Sequence, residues 1–166
     1  MSTEIQTKID GIGSQLKLNI LHGERVTANQ LPKNYQVLFN GSSEAAKNFA
    51  SQLGSAIDRQ VYTIHLPTLV SKYIGETEKN LDYAFTAAEQ KNWILLFDEA
   101  DALFGKRTEV KDAHDKYANQ DMSHLLDLIS KYNGLVILAT DNNTEPTDPH
   151  LLNRFNTILH FPPKGQ

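Results

Sequence analysis

The sequence predicts an α/β fold in which one mostly parallel, five-stranded sheet is covered by helices on both faces. Short apolar runs of strand length alternate with longer stretches of helical periodicity along most of the chain. The strand candidates are apolar at nearly every position, which is typical of strands buried on both faces. Polar residues follow several of these runs directly. We therefore expect them at the carboxyl ends of the strands, where ligands bind in such sheets.

Local patterns define each element in turn. The first strand ends at Asn40 and Gly41, and Pro162 stops the fifth. Apolar side chains spaced three or four residues apart define the helices, as at Leu53 and Ile57. The predicted strands are 35–39, 61–65, 93–97, 135–139 and 158–161. The predicted helices are 45–57, 77–90 and 119–131.

The composition limits the possible functions. The 166 residues fit one domain with a real core, and a net charge of −4 without a basic block disfavours a nucleic-acid partner. The absence of cysteine excludes disulfides and thiolate metal sites. With no secretory signal and no apolar run of membrane-spanning length, we expect a cytoplasmic protein without a membrane partner. Residues 1–33 read as a polar N-terminal lead-in, and residues 34–166 as the α/β core domain.

The segment after the first strand partly matches a phosphate-binding loop. It reads Gly41-Ser42-Ser43-Glu44-Ala45-Ala46-Lys47-Asn48, against the pattern G-x-x-x-x-G-K-[ST]. Gly41 and Lys47 fit, whereas Ala46 replaces the second glycine and Asn48 replaces the hydroxyl residue that holds Mg²⁺. The alternative is an ordinary glycine turn that caps a helix, and the segment taken alone favours that alternative.

Two consecutive carboxylates follow the third strand. Asp98 can hold Mg²⁺, usually through water, while Glu99 can orient and deprotonate an attacking water, as metal-assisted phosphoryl transfer requires. An acidic strand-to-loop turn is the alternative. The position of the pair, roughly 50 residues after a partial phosphate-binding loop in a chain of alternating strands and helices, favours the catalytic interpretation.

Two weaker signals lie further along the chain. Asp141 and Asn142 follow the fourth strand, where a polar residue can sense a γ-phosphate, although such clusters more often form turns. Arg154 precedes the fifth strand and can reach a neighbouring subunit's nucleotide as an arginine finger. The alternative for Arg154 is an ordinary surface arginine.

Taken together, these residues resemble the AAA+ ATPases over almost all of the chain after about residue 35. Residues 97–104 look like the Walker B segment of that family, and residues 71–80 look like its central-pore loop. The resemblance implies a P-loop NTPase sheet with strand order 5-1-4-3-2 and implies ATP and Mg²⁺ as cofactors. It also implies self-association into a ring, or association with other AAA+ subunits. Lys72, Tyr73 and Ile74 would then form the pore loop that contacts a polypeptide substrate.

A narrower resemblance covers residues 105–120. This segment is similar to the AAA+ proteins that are encoded with phage-tail-like contractile injection systems. The helical lid that follows the core domain in AAA+ proteins has no counterpart before Gln166, so we expect either a truncated form or a protein that has dispensed with the lid.

The departures from the family pattern predict weak or absent ATP binding. The AAA+ loop reads G-P-P-G-T-G-K-T, so Glu44 and Ala46 replace glycines and Asn48 replaces threonine. A carboxylate about 5 Å from a phosphate charge costs about 3 kcal/mol at an effective dielectric near 20, on the order of a hundredfold in affinity. Asn48 can still offer Mg²⁺ an amide oxygen, and Asp141 stands where the family usually has asparagine.

Two functions remain open from the sequence. The first is an ATPase domain that couples Mg-dependent ATP hydrolysis to protein remodelling, with its activity impaired by the altered loop. The second is a non-hydrolysing binding or assembly module that keeps the fold and does not bind nucleotide.

Overall fold

A computed structural model of the protein describes residues 34–69, 75–100, 113–141 and 152–160, with the backbone alone at 56 and 113–121. These residues form five strands and four helices. The strands are β1 (Tyr35–Asn40), β2 (Val61–His65), β3 (Ile94–Asp98), β4 (Leu135–Thr140) and β5 (Thr157–His160). The helices are α1 (Ser43–Ile57), α2 (Leu66–Leu69), α3 (Glu76–Lys91) and α4 (Ala113–Lys131).

The five strands form one sheet in the order β2-β3-β4-β1-β5, and every pair is parallel. Read from the opposite side, this is the order 5-1-4-3-2, so the predicted fold class and strand order are confirmed. Because all strands run the same way, their last residues meet along one side of the sheet, here called the carboxyl edge. The strands begin along the opposite side, here called the amino edge. Only β4 separates β1 from β3.

All three predicted helices start earlier in the structure than in the prediction, α3 by a single residue, at Glu76. Helix α1 begins at Ser43 instead of residue 45, because Ser42 caps it. Helix α4 begins at Ala113 instead of residue 119. The prediction missed its first turns because the largely polar residues before 119 carry little apolar periodicity. The four-residue helix α2 was not predicted.

Alternate side chains of the central strands point to opposite faces of the sheet. In β1, Val37 and Phe39 face helix α1 and pack against Phe49 and Leu53. Leu38 points to the other face, where helices α3 and α4 cover the sheet. Both faces are therefore buried, which explains why the strands are almost continuously apolar.

Aromatic contacts join the sheet to the layer formed by α3 and α4. The Phe85 ring of α3 stacks on Phe97 of β3 with centroids 5.6 Å apart, and it meets the Tyr132 ring edge-on at 5.7 Å. His124 of α4 bonds Asp82 of α3 at 2.7 Å on the outer side of the same layer. Among the described helices, none is both long enough and apolar enough to cross a membrane.

Tyr132 lies where α4 ends, and its hydroxyl is buried. It donates hydrogen bonds to the carbonyl oxygens of Trp93 and Ala88. Burial raises the pKa of Tyr132 to about 12, while the charge of Arg59 lowers it and that of Glu89 raises it by smaller amounts. The folded chain therefore keeps this proton through a pH range in which the unfolded chain, with an ordinary tyrosine pKa near 10, releases it.

We expect the free energy of unfolding to fall as the pH rises from about 10 to about 12, and Tyr132→Phe to reduce this fall. At neutral pH the same substitution should lower the free energy of unfolding by about 1 kcal/mol, because the carbonyl oxygen of Trp93 loses the hydrogen bond from the Tyr132 hydroxyl. Urea denaturation at several pH values measures both effects. Tyr83→Phe is the matched control, since Tyr83 is 78% exposed. Equal alkaline sensitivity in the two variants would contradict this prediction.

Gly54 permits a tight turn between α1 and β2. The backbone N–H groups of Asp58 and Arg59 both donate to the Gly54 carbonyl oxygen, so the chain folds back over this residue. A Cβ at position 54 would lie 2.7 Å from the carbonyl oxygen of Arg59 and 3.0 Å from Cγ2 of Val61.

We expect Gly54→Ala to lower the free energy of unfolding by about 1 kcal/mol or more. Alanine normally stabilises a helix interior by about 1 kcal/mol relative to glycine, but overpacking against backbone costs about 1–3 kcal/mol. Denaturant unfolding measures the change, with Ser51→Ala at an exposed position of the same helix as the control. A stabilised Gly54→Ala variant would show that the turn can relax.

Candidate nucleotide site

Helix α1 starts inside the segment 41–48 that the sequence assigns to phosphate binding. Ser42 has extended backbone, and its side-chain oxygen accepts the backbone N–H of Ala45 at 3.1 Å. Its carbonyl oxygen accepts the N–H of Ala46 at 3.0 Å. The N–H groups at positions 45 and 46, which an open loop would turn toward a phosphate, are therefore bound within the first turn of the helix.

The residues that depart from the loop pattern favour this early start. Ser42 is a preferred N-cap residue, and the carboxylate of Glu44 in the first turn complements the helix dipole. Alanine has the highest helix propensity, and Ala46 is completely buried among the apolar side chains beneath α1. Glycines at positions 44 and 46 would remove these contributions. The nucleotide-binding role of Gly41 to Asn48 stays a prediction.

The side chain of Asp98 points toward α1 from the carboxyl edge. Asp98 is the last residue of β3 and has the same parity as Ile94 and Leu96, which pack beneath α1. Only 3% of its side chain is exposed. A buried carboxylate needs hydrogen-bond donors, so its surroundings decide what it can bind.

Three donors surround Asp98. Its Oδ2 atom accepts the Ser43 hydroxyl at 2.7 Å and lies 3.7 Å from Nζ of Lys47. Its Oδ1 atom accepts the backbone N–H of Glu99 at 3.0 Å. The Lys47 side chain is 56% exposed, so solvent screens the ion pair, and the two short hydrogen bonds contribute most of the stabilisation.

Glu99 leaves the strand in the left-handed region, with a φ of 55°. Its carboxylate lies 2.9 Å from Nε2 of His65, and both side chains are about half exposed. The other ring nitrogen of His65 bonds the hydroxyl of Thr68 at 2.9 Å, which orients the ring. The carboxylate predicted to activate water thus has a histidine partner on the adjacent strand.

Asn40 connects the ends of β1 and β4. Its amide nitrogen donates to the Thr140 hydroxyl at 3.2 Å and to the carbonyl oxygen of Asp141 at 3.3 Å. Asn40 is completely buried, and its Oδ1 atom has no hydrogen-bond partner. Asp141 therefore stands at the same edge as Lys47 and Asp98.

Arg154 lies at the opposite edge of the sheet. It is exposed in the turn before β5, and the neighbouring Asn156 bonds both the backbone N–H and the carbonyl oxygen of Gln36 near the start of β1. From Gln36 to Gly41 the strand rises by about 17 Å. Arg154 therefore cannot act on the carboxyl edge of its own chain. Lys72, Tyr73, Ile74 and Asn142 lie outside the described residues.

Sequence reasoning missed the contacts of two residues. His65 ends β2 and is in register with Asp98, so the polar end of a strand adjacent to β3 was an available signal. Ser43 was included as a loop residue only, and its bond to Asp98 follows from the start of α1, which the loop pattern did not suggest.

Comparison with known families matches residues 39–163 to the model described as "ATPase family associated with various cellular activities (AAA)". The match covers the described sheet from the end of β1 to β5. The chain belongs to the AAA family of ATPases. This confirms the family part of the resemblance, while the altered loop and the contractile injection branch remain interpretations of the sequence.

Several AAA relatives are similar to this chain. A putative cell division cycle ATPase of Plasmodium falciparum is 29% identical over 76% of this chain and 11% of its own length. The 26S proteasome regulatory subunit 6A of Encephalitozoon cuniculi is 26% identical over 95% of this chain and 41% of its own length. The ATPase family gene 2 protein of Schizosaccharomyces pombe is 33% identical over 69% and 14%, respectively. The chain thus spans less than half the length of each of these relatives.

The segment 41–48 of this AAA domain does not fit Mg-ATP in the described conformation. Residues 43–48 are helical, and Asp98 already has donors on both oxygens. Among the described residues, no group of three or more histidine, aspartate and glutamate side chains is placed to hold a metal ion. A cavity of about 560 Å³ includes Lys47, but it follows the flank of α1 toward Asp58 and β2 and is lined by no residue of 41–46.

We expect Ser42→Ala to lower the free energy of unfolding by about 1 kcal/mol, because the N–H of Ala45 loses its acceptor. Ser42→Gly should cost only a few tenths of a kcal/mol, since glycine is tolerated at this position. Urea denaturation of both variants without nucleotide tests the prediction. Equal losses in the two variants would show that the side chain of Ser42 does not cap α1.

Proposed function

We propose that this chain is an AAA ATPase-type domain of a protein-remodelling assembly, with impaired ATP binding and hydrolysis. The family match and the residues Lys47, Asp98 and Glu99 at one edge of the sheet support the ATPase-type origin. The observation that carries the impairment is the start of α1 at Ser43, which places the proposed phosphate-binding segment in a helix.

The cost of opening this helix end supports weak binding. A nucleotide that needs an open loop must break the Ser42 cap, worth about 1 kcal/mol, and the Ser43 bond to Asp98, worth about 1.5–3 kcal/mol. Together these losses are about 2.5–4 kcal/mol, or roughly two to three powers of ten in affinity. The carboxylate of Glu44, which is exposed here, would add repulsion if the loop brought it near the phosphates.

The separation of Arg154 from the carboxyl edge supports a role in assembly. An arginine at the amino edge can meet a nucleotide only on another subunit, as an arginine finger in a ring of this chain or of this chain with other AAA subunits. The relative named as a proteasome regulatory subunit is itself part of a protein assembly by its name. We further propose that Lys72, Tyr73 and Ile74 contact a polypeptide, that the protein is cytoplasmic, and that it belongs to the AAA+ branch associated with phage-tail-like contractile injection systems.

The second candidate function is a module that binds no nucleotide. It is favoured by the complete burial of Ala46, because that methyl group contributes to the core only while this part of the chain is helical. Because Ala46 packs in the core without any ligand, this second candidate function needs no nucleotide for the chain to fold.

We expect 5 mM Mg-ATP to raise the melting temperature of the natural chain by no more than about 4 °C. A dissociation constant of 1 mM would stabilise the fold by about 1 kcal/mol at this concentration, or about 2–4 °C for a chain of this size. A micromolar site would stabilise it by about 5 kcal/mol and by more than about 10 °C. Differential scanning fluorimetry with and without Mg-ATP measures the shift.

The variant Glu44→Gly, Ala46→Gly, Asn48→Thr tests whether the segment is a nucleotide site. It should show a larger Mg-ATP shift than the natural chain, because it regains loop flexibility, loses the repelling carboxylate and gains a Mg²⁺-binding hydroxyl. Ala46→Gly alone is the matched control for the lost core packing. A shift above 10 °C in the natural chain would refute the impairment. No added shift in the triple variant would favour the module that binds no nucleotide.

A further inference from the structure

We infer that Ser43 is a positioning residue that binds Asp98 in the place of a hydrated metal ion and so holds α1 in its early start. This rests on the proposed function, because it names the interaction that keeps the segment 41–48 closed. The two residues lie 55 positions apart in the sequence, so the contact joins the first turn of one helix to the end of a strand two positions across the sheet.

The geometry at Asp98 carries this inference. A carboxylate that holds Mg²⁺ through water needs oxygen lone pairs directed toward the site. In this chain Oδ2 accepts a short hydrogen bond from Ser43 and faces the Lys47 ammonium group, while Oδ1 accepts the N–H of Glu99. With only 3% of the side chain exposed, there is little room for additional water around the carboxylate.

The same bond explains where α1 begins. Ser43 is the first residue of the helix, and its hydroxyl reaches Asp98 while the preceding Ser42 caps Ala45. Two consecutive serines therefore hold the start of α1. Ser42 binds the first turn of the helix itself, and Ser43 binds the last residue of β3. An extended loop at 43–46 would move the Ser43 hydroxyl away from Asp98 and leave a buried carboxylate with fewer donors.

The charge arrangement agrees with this role. The Lys47 ammonium group supplies the positive charge that a metal ion would otherwise provide, at 3.7 Å from Oδ2. It lies one helical turn beyond Ser43, so both side chains reach the same carboxylate only while residues 43–47 are helical. While residues 43–47 are helical, the chain itself therefore supplies the hydrogen-bond donors and the positive charge that the Asp98 carboxylate needs.

The first test uses the full chain without nucleotide. Ser43→Ala should raise the unfolding equilibrium constant about tenfold, and Ser43→Thr, which keeps a hydroxyl, should restore most of the loss. Ser51→Ala, at an exposed position of the same helix, is the matched control and should leave the constant unchanged within about twofold. A Ser43→Ala variant as stable as the natural chain would overturn the inference.

The second test separates positioning from general stabilisation. In Ser43→Ala, amide hydrogen exchange of Ala45 and Ala46 should accelerate at least fivefold more than that of amides in the middle of β4, which change only as the global stability changes. If both groups of amides accelerate only in proportion to global unfolding, Ser43 does not position the helix end and the inference is wrong.

The third test asks whether Ser43 excludes a metal ion. Mn²⁺ with ADP is the probe, and electron paramagnetic resonance measures bound Mn²⁺ in the natural chain, in Ser43→Ala and in Ser43→Ala combined with Asp98→Asn. Ser43→Ala should bind at least fivefold more tightly than the natural chain, and the added Asp98→Asn should abolish the gain. Binding to the natural chain that equals that of Ser43→Ala would overturn metal exclusion. The first two tests use no nucleotide, so their failure is distinguishable from failure of the proposed function.

Discussion

The buried carboxylate of Asp98 is the constraint on which the arrangement at the carboxyl edge depends. Its position follows from the pleat of β3, because the alternation that sends Ile94 and Leu96 beneath α1 also sends Asp98 there. A charged group in that position destabilises the fold unless donors surround it. The Ser43 hydroxyl and the Glu99 N–H are those donors, so the start of α1 and the turn after β3 both depend on one side chain.

The contacts that stabilise this conformation involve the same residues that the proposed catalysis would use, namely Lys47, Asp98 and Glu99. An AAA ATPase uses an open loop, a free lysine and an available carboxylate, whereas here Ser43 and Lys47 both bind Asp98, and Glu99 pairs with His65. Each of these contacts stabilises a state without nucleotide. The loop substitutions agree with that state, since Ala46 contributes to the core and Glu44 complements a helix dipole. The substitutions and the contacts are therefore consistent parts of one conformation.

The polarity of the parallel sheet adds a second constraint. The residues expected to bind phosphate and metal lie at the carboxyl edge, and Arg154 lies at the amino edge, with the length of a strand between them. No side-chain movement brings these groups together within one chain. Under the proposed function, Arg154 would therefore act on the nucleotide of another subunit, which is why that proposal involves an assembly.

The sequence by itself determined the order of elements and the fold class, because apolar strands of about five residues alternating with amphipathic helices leave few arrangements other than a covered parallel sheet. It also predicted that Asp98 and Glu99 follow an apolar strand, since two carboxylates at the end of such a run are visible without any long-range information. Only the tertiary structure decided what the segment 41–48 does in this conformation. The helix in this segment begins at Ser43 because the Ser43 hydroxyl binds Asp98, which lies 55 residues further along the chain. The contact of His65 with Glu99 depends on β2 and β3 being neighbours in the sheet. A local pattern reports propensity and spacing, whereas these contacts arise from which strands pair and which faces meet.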